Sequence, residues 1–376
     1  MSKNKIFFSC IFYFFCTHFF VFGQFLKDTK AQNLATLAVE KIYYFDFVNA
    51  RIFINQLEKQ IPKHPVVPFL YAYALSWENF PLQKNFTEYQ QYEKYLKTCL
   101  AQAELLLKKN KKDIEGNYFA MMAYSLMAMH ESESGNFWTS VEQGKSAFYY
   151  LKKGFDWGEQ LADYYFTTGL YKYYAVQYPE THSAAKAVMI FFPNGNKAQG
   201  LQYLHLASAK SQFSKIEATI YLHSIYSKYE KNYQQALLQT QVLVQKYPYN
   251  PFFAIKHCES LIAVGRYAEA EQLLKYFSVR SGRVYRTATN TFRGLIDEKY
   301  YKNEKNAQAS YKKAIAIESV DVRYSKDFQA QSYVGLARIA INNNEKEIAK
   351  KYLKKAQKMT EYEGLKDEIK RYLKKL

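Results

Sequence analysis

Asn232-Tyr-Gln-Gln-Ala236-Leu-Leu-Gln-Thr240, running on through Leu243 to Pro248, and Gly265-Arg-Tyr-Ala-Glu-Ala270, running through Leu274 to Phe277, place small, larger and apolar residues in one order. Ala236 and Ala270 stand 34 residues apart. The register returns downstream at Ala307, Tyr311 and Ala314 and at Ala349, Leu353 and Ala356, and upstream at Ala50, Ile54 and Leu57 and at Gly200, Leu204 and Ala207. Steps of three and four residues put each set on one face of a helix, and a period of this length marks stacked supersecondary units. Composition agrees. With 48% hydrophobic and 23% charged residues, a chain of 376 residues can bury a large core, which excludes disorder as a description of the whole. Only 14 Gly and 8 Pro are present, too few for the many turns of a sheet-rich fold, so the chain reads as all-α with short connections.

These residues resemble tetratricopeptide (TPR) repeats, with Tyr333, Leu336, Ala337, Ala349, Leu353 and Ala356 following the pattern well and Ala254, Cys258, Gly265 and Ala270 more loosely. The resemblance implies a right-handed α-solenoid of antiparallel helix pairs, in which small residues sit where two helices cross closely. From length and period, about nine pairs are expected over residues 24–376. The register is clearest at 31–62 and 184–359, and is not fixed between Pro65 and Gly158. Successive small positions from Gly200 are spaced 36, 34, 37 and 42 residues, so loops or helix ends vary, and Leu295 stands where a small residue is expected. Residues 163–177 read as a Tyr-rich helix broken by Tyr178-Pro179, with a short apolar piece at 184–192. Residues 361–376 form the capping helix a solenoid needs, with Leu365, Ile369, Tyr372 and Leu373 facing the last repeat.

The first 23 residues stand apart. Lys3 and Lys5 precede a run without acidic or basic residues except His18, and Gly23 closes it with Val21 two positions before. This reads as a signal peptide cut after Gly23 or Gln24, an uncleaved anchor being the alternative. Cys16 follows Phe15 rather than a small residue, which argues against a lipoprotein. The mature chain is therefore expected in the periplasm or envelope of a Gram-negative bacterium, with Cys99 and Cys258 as buried thiols.

No phosphate loop, Gly-x-Ser-x-Gly, His-Glu-x-x-His or Cys-x-x-Cys motif is present, so no catalytic residue, metal site or cofactor is assigned and an enzyme is not expected. An enzyme would need distant groups such as His182, Asp163 and Tyr165 to converge. His257-Cys258-Glu259 looks reactive, yet adjacent helical residues point in different directions. Met121, Met122, Met127 and Met129 with His130 read as flexible core packing rather than a copper site.

Charge is uneven. The formal +18 falls to +16 without Lys3 and Lys5, and residues 299–376 carry 19 Lys or Arg against 10 Asp or Glu, hence +9 of that excess. Such a field attracts acidic proteins, anionic lipids or nucleic acid, the last unlikely for an exported protein, although an AT-rich genome raises Lys everywhere. In the TPR family first helices line a concave groove. The resemblance places Tyr221, Lys228, Tyr229, Phe252, Phe292, Lys299, Tyr300 and Arg338 there, with Ile255 and Glu259 beside Phe252. Aromatic walls with a few cations suit an extended peptide bearing acidic groups. The family's carboxylate clamp is missing, since Tyr221, Ile255, Phe292 and Val334 replace its basic residue. The expected function is an exported scaffold that binds a protein or peptide in this groove; the alternative is an envelope-associated binder of an anionic polymer or lipid through the basic C-terminal repeats.

Overall fold

The computed structural model describes residues 25–376 apart from 85, 182–185, 187, 188, 190, 191, 281 and 319–321. The proposed leader, His182 and most of the apolar piece at 184–192 lie outside the described residues. A 3-10 turn at Phe25–Lys27 opens a series of α-helices with no strand among the described residues. They run as pairs: α1 (Thr29–Tyr43) with α2 (Phe47–Gln60), α3 (Val66–Glu78) with α4 (Thr87–Lys109), α5 (Ile114–Glu133) with α6 (Phe137–Lys153), and α7 (Asp163–Thr181) with α8 (Lys197–Lys210). There follow α9 (Lys215–Lys228) with α10 (Tyr233–Lys246), α11 (Pro251–Ala263) with α12 (Tyr267–Phe277), α13 (Arg283–Lys299) with α14 (Glu304–Ala316), α15 (Val322–Asn342) with α16 (Lys346–Met359), and a closing α17 (Glu363–Lys375). Each odd-numbered first helix packs on its own partner, and α1 with α3, α3 with α5, α7 with α9, α11 with α13 and α13 with α15 also touch, so the first helices lie on the inner side and the even ones on the outer. The chain is an all-α, TPR-like solenoid of antiparallel pairs.

The sequence pattern maps onto the second helices. Ala50, Ile54 and Leu57 in α2, Leu204 and Ala207 in α8, Ala236 and Leu243 in α10, and Ala270, Leu274 and Phe277 in α12 are all buried. So are Ala307, Tyr311 and Ala314 in α14 and Ala349, Leu353 and Ala356 in α16. All of these sets but the one in α8 follow one recurring turn, which also precedes α6. Phe45, Gly135, Lys231, Gly265, Lys302 and Asn344 all have positive φ, from 52° to 81°, and each lies two residues before a second helix. Glycine fills this left-handed position only twice, and Lys, Asn or Phe takes it elsewhere at a conformational cost that the packing outweighs. The next residue is often an acceptor that caps the helix: Asp46 takes the amide of Asn49, Asn232 that of Gln235, and Asn303 that of Asn306. The low glycine count thus reflects an unusual choice of turn residue as well as few turns.

Two details differ from expectation. The α7 helix runs through Pro179 to Thr181 instead of breaking at Tyr178-Pro179, because a proline in the last turn forfeits only one hydrogen bond. The variable spacing comes from helix length: α13 has 17 residues and α15 has 21, against 13 in α11. At the crossing of α7 and α8 the backbones nearly touch, and a Cβ on Gly200 would stand 2.6 Å from the Tyr173 nitrogen and 2.9 Å from the Gly169 oxygen. Backbone cannot retreat as a side chain can, so Gly200→Val is expected to cost about 2–3 kcal/mol by overpacking. Urea denaturation of that variant checks it; a loss under 0.5 kcal/mol, the range of ordinary surface changes, would contradict the close crossing.

The solenoid coils tightly enough to touch itself. Lys246 pairs with Glu40 at 2.8 Å, the Asn250 amide donates to the Tyr43 carbonyl at 3.0 Å, and the Gln212 amide donates to the Gln32 carbonyl at 3.0 Å. Half-buried Glu217 on α9 lies between the hydroxyls of Tyr43 and Tyr73, which donate to it. Phe252 and Phe253 pack on Trp77 across the same seam. Much of the aromatic excess is therefore spent on sealing one turn of the coil against another.

Candidate functional site

The inner face between α9 and α17 gathers the charged and aromatic side chains. Lys228 lies at the last turn of α9 and Tyr229 caps that helix. The Lys228 ammonium is 2.8 Å from Asp327 on α15 and 3.5 Å from Glu361, and it stands 5.3 Å over the Tyr362 ring. The Tyr229 hydroxyl donates to Glu361 at 3.4 Å. From α11, Glu259 accepts the Tyr362 hydroxyl at 2.7 Å and pairs with Lys256 at 3.1 Å. Burial, then the Glu259 charge, pushes the Tyr362 hydroxyl well above its usual value, so it keeps its proton and donates.

The sequence-predicted groove residues divide. Lys228 and Tyr229 are brought together, and half-buried Tyr221 lies nearby, its ring 5.6 Å from Phe166 and 6.5 Å from Tyr174. Lys299 is half-exposed and pairs with Glu298 at 2.9 Å, and Tyr300 is 50% exposed with its ring 6.1 Å from Tyr267. The other three do not line a surface. Phe292 is fully buried between Phe277 and Phe328 of the neighbouring helices, and Phe252 is buried against Trp77 and Phe80, where the coil meets its own early repeats. Arg338 is buried too, bonding both oxygens of Glu298 at 2.6 and 2.7 Å and Glu368 at 2.8 Å. Ile255 and Glu259 are likewise buried. The residues that sequence reasoning missed are Asp327, Lys256, Glu361 and Tyr362, which lie up to 134 residues from Lys228. No local pattern announces such a meeting.

Burial alone raises the Glu298 carboxyl, yet the Arg338 hydrogen bonds and charge, with Tyr311 and Lys299, outweigh it and hold the group at about 2 against its ordinary 4.5. His223 is fully buried; burial first and the Lys256 charge next push its ring from 6.5 down to about 3, so it stays neutral. Both shifts make the unfolded chain the better proton acceptor below neutrality. Stability present above pH 6.5 is therefore expected to fall as His223 is forced to protonate between 6.5 and about 3, and further as Glu298 does so between 4.5 and about 2. Denaturant titrations at stepped pH check this, and His223→Gln should flatten the upper part of the slope; an unchanged slope in that variant would contradict the assignment.

The other sequence candidates have structural partners. His257 meets Thr240 at 3.0 Å, Cys258 points its thiol at the Ala270 carbonyl and Glu259 faces the inner cluster, so the three adjacent residues do diverge. Asp163 is buried and accepts the amides of Gln212, Phe213 and Ser214, while the Tyr165 hydroxyl donates to Glu159. Met121 is buried among core residues. Cys99 and Cys258 are buried free thiols. Among the described residues no three His, Cys, Asp or Glu side chains converge as a metal site, and no helix is long and apolar enough to cross a membrane.

No protein-family model matches the sequence, and no curated protein is similar to it in sequence. Among solved structures, the chain is similar to the human IFIT1 dimer with PPP-AAAA at 16% identity over 88% of this chain and 67% of that one, with a TM-score of 0.42. It is similar to yeast Tom70 at 10% identity over 92% of this chain and 82% of that one, with a TM-score of 0.37. Scores this low add nothing beyond the helix pairing already described.

Proposed function

We propose that the chain is an exported interaction scaffold that binds a protein or peptide partner on its inner face and carries out no catalysis. The supporting observation is the meeting of Lys228 and Tyr229 with Asp327 and Glu361 from distant helices, with Lys299 and Tyr300 at the more exposed end of α13. Export rests on the Lys-led apolar leader, with a cut near Gly23, in the periplasm or envelope of a Gram-negative bacterium. Phe25 is buried and the amides of Phe25 and Leu26 are held by Glu115, which suits a mature chain starting just before them. A photo-cross-linking residue at exposed Tyr300 should trap a defined envelope protein, and one at Trp138, 79% exposed on the outer helix α6, should not. Equal labelling from both positions, or none from Tyr300, would overturn the reading.

A second reading has its own support. Lys351, Lys354, Lys355 and Lys358 are exposed along the outer helix α16, with Lys346 at its start, so the basic excess faces outward. Such a stripe fits an anionic polymer or lipid surface. Co-sedimentation with phosphatidylglycerol vesicles that weakens as salt rises would favour it over the peptide scaffold.

A further inference from the structure

The link between α16 and α17 leaves the outer layer and enters the inner face. Thr360 and Tyr362 both have extended backbone, at φ −90°, ψ 142° and φ −72°, ψ 112°, and both are buried. Helices from three earlier repeats hold the dipeptide Glu361-Tyr362 between them. Its backbone is read by Asp327, which accepts the Glu361 amide at 3.1 Å. Its carboxylate is read by Lys228, the Tyr229 hydroxyl and, at 3.9 Å, Lys326. Its aromatic ring sits under the Lys228 ammonium with the hydroxyl anchored on Glu259. This is the contact set an extended peptide makes with a receptor: main-chain capture, one charge read by cations, and one ring in a polar-ended slot.

We propose that this cluster is a recognition site for an extended acidic-aromatic peptide, Glu-Tyr in type, and that the chain's own Glu361-Tyr362 occupies it until a partner segment of the same chemistry displaces it. The proposal rests on the scaffold reading above and names the ligand class and its regulation. Two features fit displacement. Glu361 keeps a third of its side chain in solvent, where an incoming peptide can compete for its cations. The helix that follows buries one residue fully, Ile369, against three in α16, and its other ties are the bonds of Glu368 to Arg338 and Asp367 to Lys231, with Leu365, Tyr372 and Leu373 half-buried. A resident segment in cis lowers the apparent affinity for a ligand in trans by the fraction of molecules in which the site stands open.

The test uses the mature chain and a fluorescent peptide copying residues 357–365, followed by polarisation. The wild type should bind it weakly, and the double variant E361A/Y362A, which empties the site, should bind about tenfold more tightly or better. Lys228→Ala added to that background should abolish the gain. If the emptied variant melts like the wild type and gains no affinity, the segment is a structural link only and the proposal fails. If the variant does not fold, hydrogen exchange of the wild type decides: excess peptide should speed exchange in residues 360–376, and unchanged exchange overturns the proposal. The Tyr300 cross-link to an envelope protein is independent of these results, so loss of this inference is distinguishable from loss of the scaffold reading.

Discussion

Replacing Arg338 with alanine is expected to remove about 3–5 kcal/mol of folding stability, the cost of leaving one member of a buried ion pair without the other. Arg338 bonds both oxygens of Glu298, at 2.6 and 2.7 Å, and reaches Glu368 at 2.8 Å, so it ties α13, α15 and α17 together. Glu298 also accepts the Tyr311 hydroxyl at 2.7 Å, and the Tyr311 ring fills the gap left by Gly294 and Gly335. Without the guanidinium that carboxylate must stay charged in a buried place or take up a proton, and the cluster loses its geometry. Arg338→Lys should recover only part of the loss, because one ammonium cannot supply the paired bonds of a planar fork. The double variant R338M/E298Q should be milder than R338A, since the charges it leaves without these partners, Glu368 and Lys299, are both partly in solvent. Urea denaturation of the three variants at pH 7 measures this. Equal stabilities for R338A and wild type would show the pair to be a surface feature.

Glu115→Ala carries the second large effect, about 3 kcal/mol or more, because it orphans several buried donors, each costing about 1–3 kcal/mol. Its two oxygens accept the Phe25 amide at 3.1 Å and the Leu26 amide at 2.8 Å, and the His64 ring nitrogen lies 2.7 Å from one of them. The Phe25 ring in turn packs on His64 and on Phe213, at 5.7 and 5.5 Å between centroids. One carboxylate on α5 thus pins residues 25–26 to the turn before α3 and, through the Phe25 ring, to the loop before α9. Glu115→Gln keeps an acceptor oxygen and should lose less. Thermal melts give the ranking, and protease sensitivity at residues 25–30 should rise in E115A first. If melting falls while those residues stay protected, the destabilisation arises elsewhere.

The repeat was legible because its second helices obey one offset: a cap, then buried residues four, eight and eleven positions on, as in Asn232, Ala236, Thr240 and Leu243. The same offset follows Asp46, Asn303 and Glu345. It was not recovered between Pro65 and Gly158 for physical reasons. Helix α4 begins early and is 23 residues long, so its buried Tyr92, Leu96, Cys99 and Ala103 stand at other distances from its start. In α6 the signal was present: Gly135-Asn136-Phe137 parallels Gly265-Arg266-Tyr267, and Ser140, Gly144 and Ala147 stand at the expected steps. Serine and glycine in the small positions hid it. Of the groove residues, Lys228 and Tyr229 meet Asp327 and Glu361, which no local pattern joins to them. Phe252, Phe292 and Arg338 were misjudged because their helical register is that of a groove, while the coil seam buries Phe252 and the neighbouring helices bury Phe292 and Arg338. Curvature arises from the sum of small rotations between repeats, and no single residue encodes it.

The central claim is that the inner face is closed on the chain's own 360–362 segment. Lys231 pairs with Asp367 at 3.0 Å across this closure. Spin labels on cysteines introduced at Gln234 and Lys370, both exposed and just beyond that contact, report it directly, since Cys99 and Cys258 are buried. Pulsed electron-electron resonance on the mature chain should give one short, narrow distance. A long or broad distribution in the folded, unliganded protein would mean that the solenoid is open and that Glu361-Tyr362 does not occupy its inner face.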